Sequence, residues 1–180
     1  MRTRASISSR SQLPRCILGI SLSCVIICGC RRQPPQSSRF YALSKEAKEN
    51  FAAGRIEQAR KDAGELLQLL PRFQGDWNYG NAVHDANFVL GRIAVKEGRI
   101  DEAKKYLIAA GKSPGSPQLN SFGPNMSLAN DLLQKGQKDV VLEYFELCRG
   151  FWRMDRGRLN QWSQDVKAGI APSFGPNLLY

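Results

Sequence analysis

The chain has 180 residues, 42% of them hydrophobic, with a formal net charge of +10, one histidine and five cysteines. That length is enough for one domain with a substantial core, and the positive charge is too diffuse to point to nucleic acid. There is no Cys-x-x-Cys, Gly-x-Ser-x-Gly or glycine-rich phosphate loop, so zinc, nucleophile and nucleotide chemistries have no motif to rest on and no cofactor is expected.

The N-terminal segment sets the expected compartment. Arg2, Arg4, Arg10 and Arg15 precede an uncharged apolar stretch, residues 16–29, with no acidic residue among them. At about 14 residues that stretch suits a signal-peptide core and is short for a membrane span. It ends in Ile27-Cys28-Gly29-Cys30, which resembles a lipobox, with Cys30 as the cysteine that receives the lipid (palmitate, for example). An uncleaved signal anchor is the alternative. Residues 31–39, rich in Arg, Gln, Pro and Ser, read as a polar spacer. Cleavage before Cys30 would remove four arginines, taking the charge from +10 to about +6, and would leave Cys148 with no disulfide partner. Cys148 lies in an apolar run and is expected to be buried.

Further along, one pattern recurs. Gly54-Arg55-Ile56-Glu57-Gln58-Ala59 returns as Gly98-Arg99-Ile100-Asp101-Glu102-Ala103, and more loosely as Gly136-Gln137-Lys138-Asp139-Val140-Val141. Each glycine separates two stretches with apolar spacing of three and four: 47–53 from 59–70, 86–95 from 103–110, and 128–133 from 140–151. Such stretches read as helix, tight turn, helix. A seventh helix is expected from about Asp155, closed by Pro172 and packed through Trp162. The linkers are 72–81, rich in aromatic and amide groups, and 112–125. The second linker ends in Ser121-Phe122-Gly123-Pro124-Asn125, which reappears as Ser173-Phe174-Gly175-Pro176-Asn177. Asn125 is placed to cap the next helix. Phe174, Leu178 and Leu179 are expected to close the apolar end of the molecule.

The second hairpin resembles a tetratricopeptide repeat. Leu90-Gly91, Ala94, the turn Gly98, Ala103, Leu107 and Ala110 occupy that family's positions. The first hairpin keeps Ala47, Gly54, Ala59, Ala63, Leu66 and Pro71, but has Glu46 where leucine is usual. The third keeps Leu128, Ala129, Gly136 and Phe145, with Val141 in place of alanine. The turn glycines are 44 and then 38 residues apart, longer than the family period of about 34. The resemblance implies an all-α, right-handed stack of about three helical hairpins plus a C-terminal helix. It also implies a protein or peptide partner.

These readings divide the chain into a lipoprotein signal peptide (1–29), a lipidated flexible tether (30–42), a helical-repeat domain (43–172) and a capping tail (173–180). The expected function is a membrane-tethered scaffold or adaptor in the cell envelope, facing outside the cytoplasm, that binds a protein or peptide through Trp77, Asn78, Asn81, His84 and Asn87. No catalytic residue and no metal site are expected. The alternative is an enzyme or glycan-binding accessory with its site in residues 77–85. A catalytic site would bring His84 to a carboxylate inside a closed pocket, whereas a peptide groove would present amides along an open concave side.

Overall fold

The computed structural model describes residues 36–179. The expected signal peptide, Cys30 and the first tether residues lie outside them. Among the described residues there is no strand, and eight helices pack together: α1 (Gln36–Ala52), α2 (Ile56–Leu69), α3 (Tyr79–Lys96), α4 (Ile100–Gly111), α5 (Pro117–Phe122), α6 (Ser127–Gln134), α7 (Lys138–Arg149) and α8 (Arg158–Lys167). None of them is long and apolar enough to cross a membrane.

Three connections are the same turn. Gly54, Gly98 and Gly136 have φ of 74°, 74° and 75°. The residues after them, Arg55, Arg99 and Gln137, share φ near −84° and ψ near 65°. Each of these residues donates its N–H to the carbonyl five residues back, on Asn50, Ala94 and Leu132, at 2.9, 2.9 and 3.0 Å. That bond satisfies a carbonyl the helix end would leave orphaned. A left-handed φ costs an L-residue about 1–2 kcal/mol, which is why glycine recurs there. Five residues past each glycine, Ala59, Ala103 and Val141 are fully buried. The turns thus pair α1 with α2, α3 with α4, and α6 with α7. Among the first helices of the pairs, α3 touches both α1 and α6; α4 meets α7, and α8 packs on α7.

Three elements depart from expectation. Helix α1 starts at Gln36, so residues 36–42 of the expected tether belong to the fold. Phe40, Leu43, Ala47 and Phe51 follow helical spacing and are buried, with Phe40 stacked on Phe73 at 4.2 Å. Arg39 locks α1 to α2 through Nε and Nη2 bonds of 2.9 and 2.8 Å to Glu65, and it also pairs with Glu46. Its guanidinium holds the Glu65 carboxyl below the usual range. Helix α3 begins at Tyr79, inside the first linker, with Gly80 against the backbone of Gly115, where a Cβ would lie 1.7 Å from the carbonyl oxygen. The second linker contains α5, raising the helix count from seven to eight. Ser116 starts it by accepting from the Leu119 N–H at 3.0 Å, with Pro117 in the first turn.

The C-terminal segment closes the third hairpin. Phe174 is buried, edge-on to Trp162 at 4.9 Å and to Phe145 at 6.2 Å, as expected. Leu178 and Leu179 do not join it; they are 38% and 83% exposed. The reason is the anchor beside them. Asn177 is fully buried and donates from Nδ2 to the carbonyls of Phe122 and Pro124, both at 3.0 Å. Its own carbonyl accepts the Met126 N–H at 2.7 Å. One Ser-Phe-Gly-Pro-Asn copy therefore docks on the other, and the final residues are turned away from the core. Asn125 of the first copy accepts the Ser127 N–H at 2.8 Å, but α6 starts one residue later than expected, so the cap position falls to Met126 and Asn125 stands just before it.

A candidate partner-binding groove

An open groove of about 990 Å³ runs over the first helices of the pairs. Its lining comes from α1, α3, α5, the start of α6 and the C-terminal tail. Helices α1 and α3 run side by side in the same direction along it. Tyr41 stacks on Trp77 at 6.0 Å, Lys48 Nζ is 2.8 Å from Asp85 Oδ2, and the Arg92 guanidinium lies 4.9 Å over the Phe51 ring. The pairs advance together, so α1 residues three and four apart, from Tyr41 to Phe51, all face α3 or the groove.

Seven large apolar side chains are exposed among the described residues: Tyr41, Trp77, Phe122, Met154, Ile170, Leu178 and Leu179. Four of these line the groove, namely Tyr41, Phe122, Leu178 and Leu179, and Trp77 stacks on one of them. Apolar exposure is therefore concentrated at one place, which is how an interaction surface differs from ordinary scatter.

Beneath the groove floor a chain of polar groups reaches from α1 to α7. Lys48 and His84 both meet the Asp85 carboxylate, His84 through Nδ1 at 3.3 Å. His84 Nε2 lies 3.2 Å from the Tyr144 hydroxyl, which in turn bonds Cys148. With Nδ1 protonated the ring donates to Asp85 and accepts from Tyr144, so each group has its partner. Burial would push the Asp85 carboxyl up, but the His84 hydrogen bond and the Lys48 charge outweigh it and hold it below the usual value. Burial pushes the Tyr144 hydroxyl and the Cys148 thiol well above theirs. A buried, protonated thiol is inert, as expected for Cys148.

The sequence-predicted site residues divide as follows. Asn78, Asn81 and His84 line the groove. His84 is only 1% exposed, and both ring nitrogens are engaged by protein atoms. Asn81 bonds Asn78 and Gln118 at 2.8 and 3.0 Å and accepts from Ser116, so these amides are tied to one another. Trp77 stands at the rim, 57% exposed. Asn87 does not line the groove: it is buried and donates to the Val83 carbonyl at 2.7 Å, because its place on α3 turns it into the helix packing. His84 does reach a carboxylate, but the space beside it is open rather than closed. Among the described residues no cluster of three or more His, Cys, Asp or Glu side chains could hold a metal ion.

No known protein family, curated protein or solved structure matches the chain. The groove is therefore read from its own residues. Those the sequence reading missed are Tyr41, Ser44, Lys48 and Phe51 of α1, Arg92 and Lys96 of α3, and Phe122. The α1 set had a signal, since residues 41, 44, 48 and 51 recur at spacings of three and four on one helical face. Arg92 and Lys96 had none, because an exposed helical cation looks the same whether or not it faces a groove.

Proposed function

We propose that this chain is a lipid-tethered, tetratricopeptide-like adaptor that binds a protein or peptide segment in the groove over α1, α3 and α6. The observation that carries the reading is the gathering of exposed apolar side chains, Tyr41, Phe122, Leu178 and Leu179, into one open groove on the first helices of three hairpins. Three identical glycine turns support a repeat architecture, since hairpins of this kind bury their faces only by stacking. The lipobox-like residues ending in Cys30 support attachment to the cell envelope on the outer side of a membrane.

The groove is tested by placing a photo-crosslinking side chain at Phe122 and, separately, at Lys61 on the outer helix α2. Capture of a defined protein from Phe122 alone is expected. A peptide of that protein should then bind the purified chain, with its affinity lost in Phe122→Asp. Equal capture from both positions, or affinity unmoved by the substitution, overturns the reading. The anchor has its own test: Cys30→Ser should abolish incorporation of labelled fatty acid, and unchanged labelling refutes it.

A further inference from the structure

The groove has an uneven charge. Lys45, Lys48, Arg92 and Lys96 line it against only Glu49 and Asp85. Lys45 pairs with Glu49 at 3.7 Å, Lys48 with Asp85 at 2.8 Å and Arg92 with Asp131 at 2.8 Å, so Lys96 is the lining cation with no ion pair among the described residues. Lys96 stands one helical turn beyond Arg92, and its ammonium is 5.6 Å from the same Phe51 ring that Arg92 covers. Two cations at this spacing repel each other. Sharing an aromatic face offsets part of that repulsion, and a carboxylate arriving from outside would offset more.

A second observation is independent of charge. Ser44 is 8% exposed, lines the groove, and its hydroxyl has no hydrogen-bond partner among the described residues. A buried hydroxyl left without a partner is destabilising and rare in native proteins. Ser44 lies one turn before Lys48 on the same face of α1, and both residues line the groove. Donors that are unfilled in the protein alone call for an acceptor on the ligand.

We infer that the groove takes an acidic peptide segment that also carries aromatic or aliphatic side chains. Its carboxylates meet Arg92 and Lys96, one of its oxygens accepts from the Ser44 hydroxyl, and its apolar side chains rest on Phe122, Leu178 and Leu179. This rests on the peptide-binding reading and adds the chemistry of the partner.

The test uses the full-length protein and three labelled peptides of equal length in fluorescence anisotropy. The first intersperses Glu with Phe and Leu, the second has Lys for every Glu, and the third has Ser for every Phe and Leu. The first should bind roughly tenfold or more tighter than either of the others and weaken as salt rises from about 50 to about 500 mM. Lys96→Glu should weaken it about tenfold. Ser44→Ala should weaken it severalfold while raising the melting temperature of the unliganded protein, a pairing that a merely structural serine would not give. If the Lys peptide binds as well as the Glu peptide, the groove still binds peptides and the acidic preference is overturned. If none of the three binds, both readings fall. If phosphatidylglycerol vesicles bind instead, and Lys96→Glu abolishes it, the cations serve a membrane and the inference is overturned.

Discussion

At the scale of single residues, the polar chain from Lys48 through Asp85 and His84 to Tyr144 ties α1, α3 and α7 together by groups that a core usually excludes. Such a network stabilises only while each member keeps its partner. Tyr144→Phe leaves His84 Nε2 buried without a partner, and the expected loss is about 1–3 kcal/mol, read from the urea midpoint. A change below about 0.5 kcal/mol, the range of an ordinary surface substitution, would show that the bond is not formed. Asp85 makes a pH-dependent contribution of definite sign. Its folded carboxyl is held below the usual value of about 3.9, so its stabilisation is fully present above that pH and is lost as pH falls through the folded value. Thermal melts of the wild type and Asp85→Asn should differ at neutral pH and converge in strong acid. A constant gap across that range would mean that Asp85 is not the group being titrated.

At the scale of elements, glycine has opposite effects in a turn and within a helix. Gly98 needs a left-handed backbone and has empty space around it, whereas Gly64, inside α2, has empty space and an ordinary helical backbone. Gly98→Ala should therefore destabilise by about 1–2 kcal/mol. Gly64→Ala should stabilise by about 0.5–1 kcal/mol through helix propensity alone. Chemical denaturation of the two variants checks both signs, and a loss at both positions would show that crowding rather than conformation governs the turn. These turns are also the part of the fold best read from sequence, since the longer match of residues 54–59 to 98–103, with its looser echo at 136–141, marks them directly. The start of α1 was readable too, from Phe40, Leu43 and Ala47, but the polar Pro/Ser composition just before it masked the period. Helix α5 had a local signal in Ser116-Pro117, a cap followed by a first-turn proline, yet six residues carry too little apolar periodicity to stand out.

At the scale of the whole molecule, stability and site meet in the last seven described residues. Phe174 fills the core between α7 and α8, while Asn177 holds the Phe122 and Pro124 carbonyls within the first Ser-Phe-Gly-Pro-Asn copy. Leu179 only lines the groove. Phe174→Ala should cost about 3–5 kcal/mol. Leu179→Ala should shift stability by no more than about 0.5 kcal/mol and act on partner binding instead. Melting curves together with peptide titrations separate the two, and comparable destabilisation by both would place Leu179 in the core after all.

The sequence by itself determined the helical class, the three hairpins, the turn glycines, the burial of Cys148 and the seating of Phe174. Each of these follows from interactions within a few turns of chain or from simple apolar demand. Only the tertiary structure decided that residues 36–42 belong to the fold, that Asn87 turns inward while Asn78 and Asn81 reach the groove, and that Leu178 and Leu179 stay outside the core. It also decided that Ser44, Arg92 and Lys96 share one groove. Those outcomes depend on which helix faces which across dozens of residues of chain, and helical spacing fixes a face without naming its neighbour.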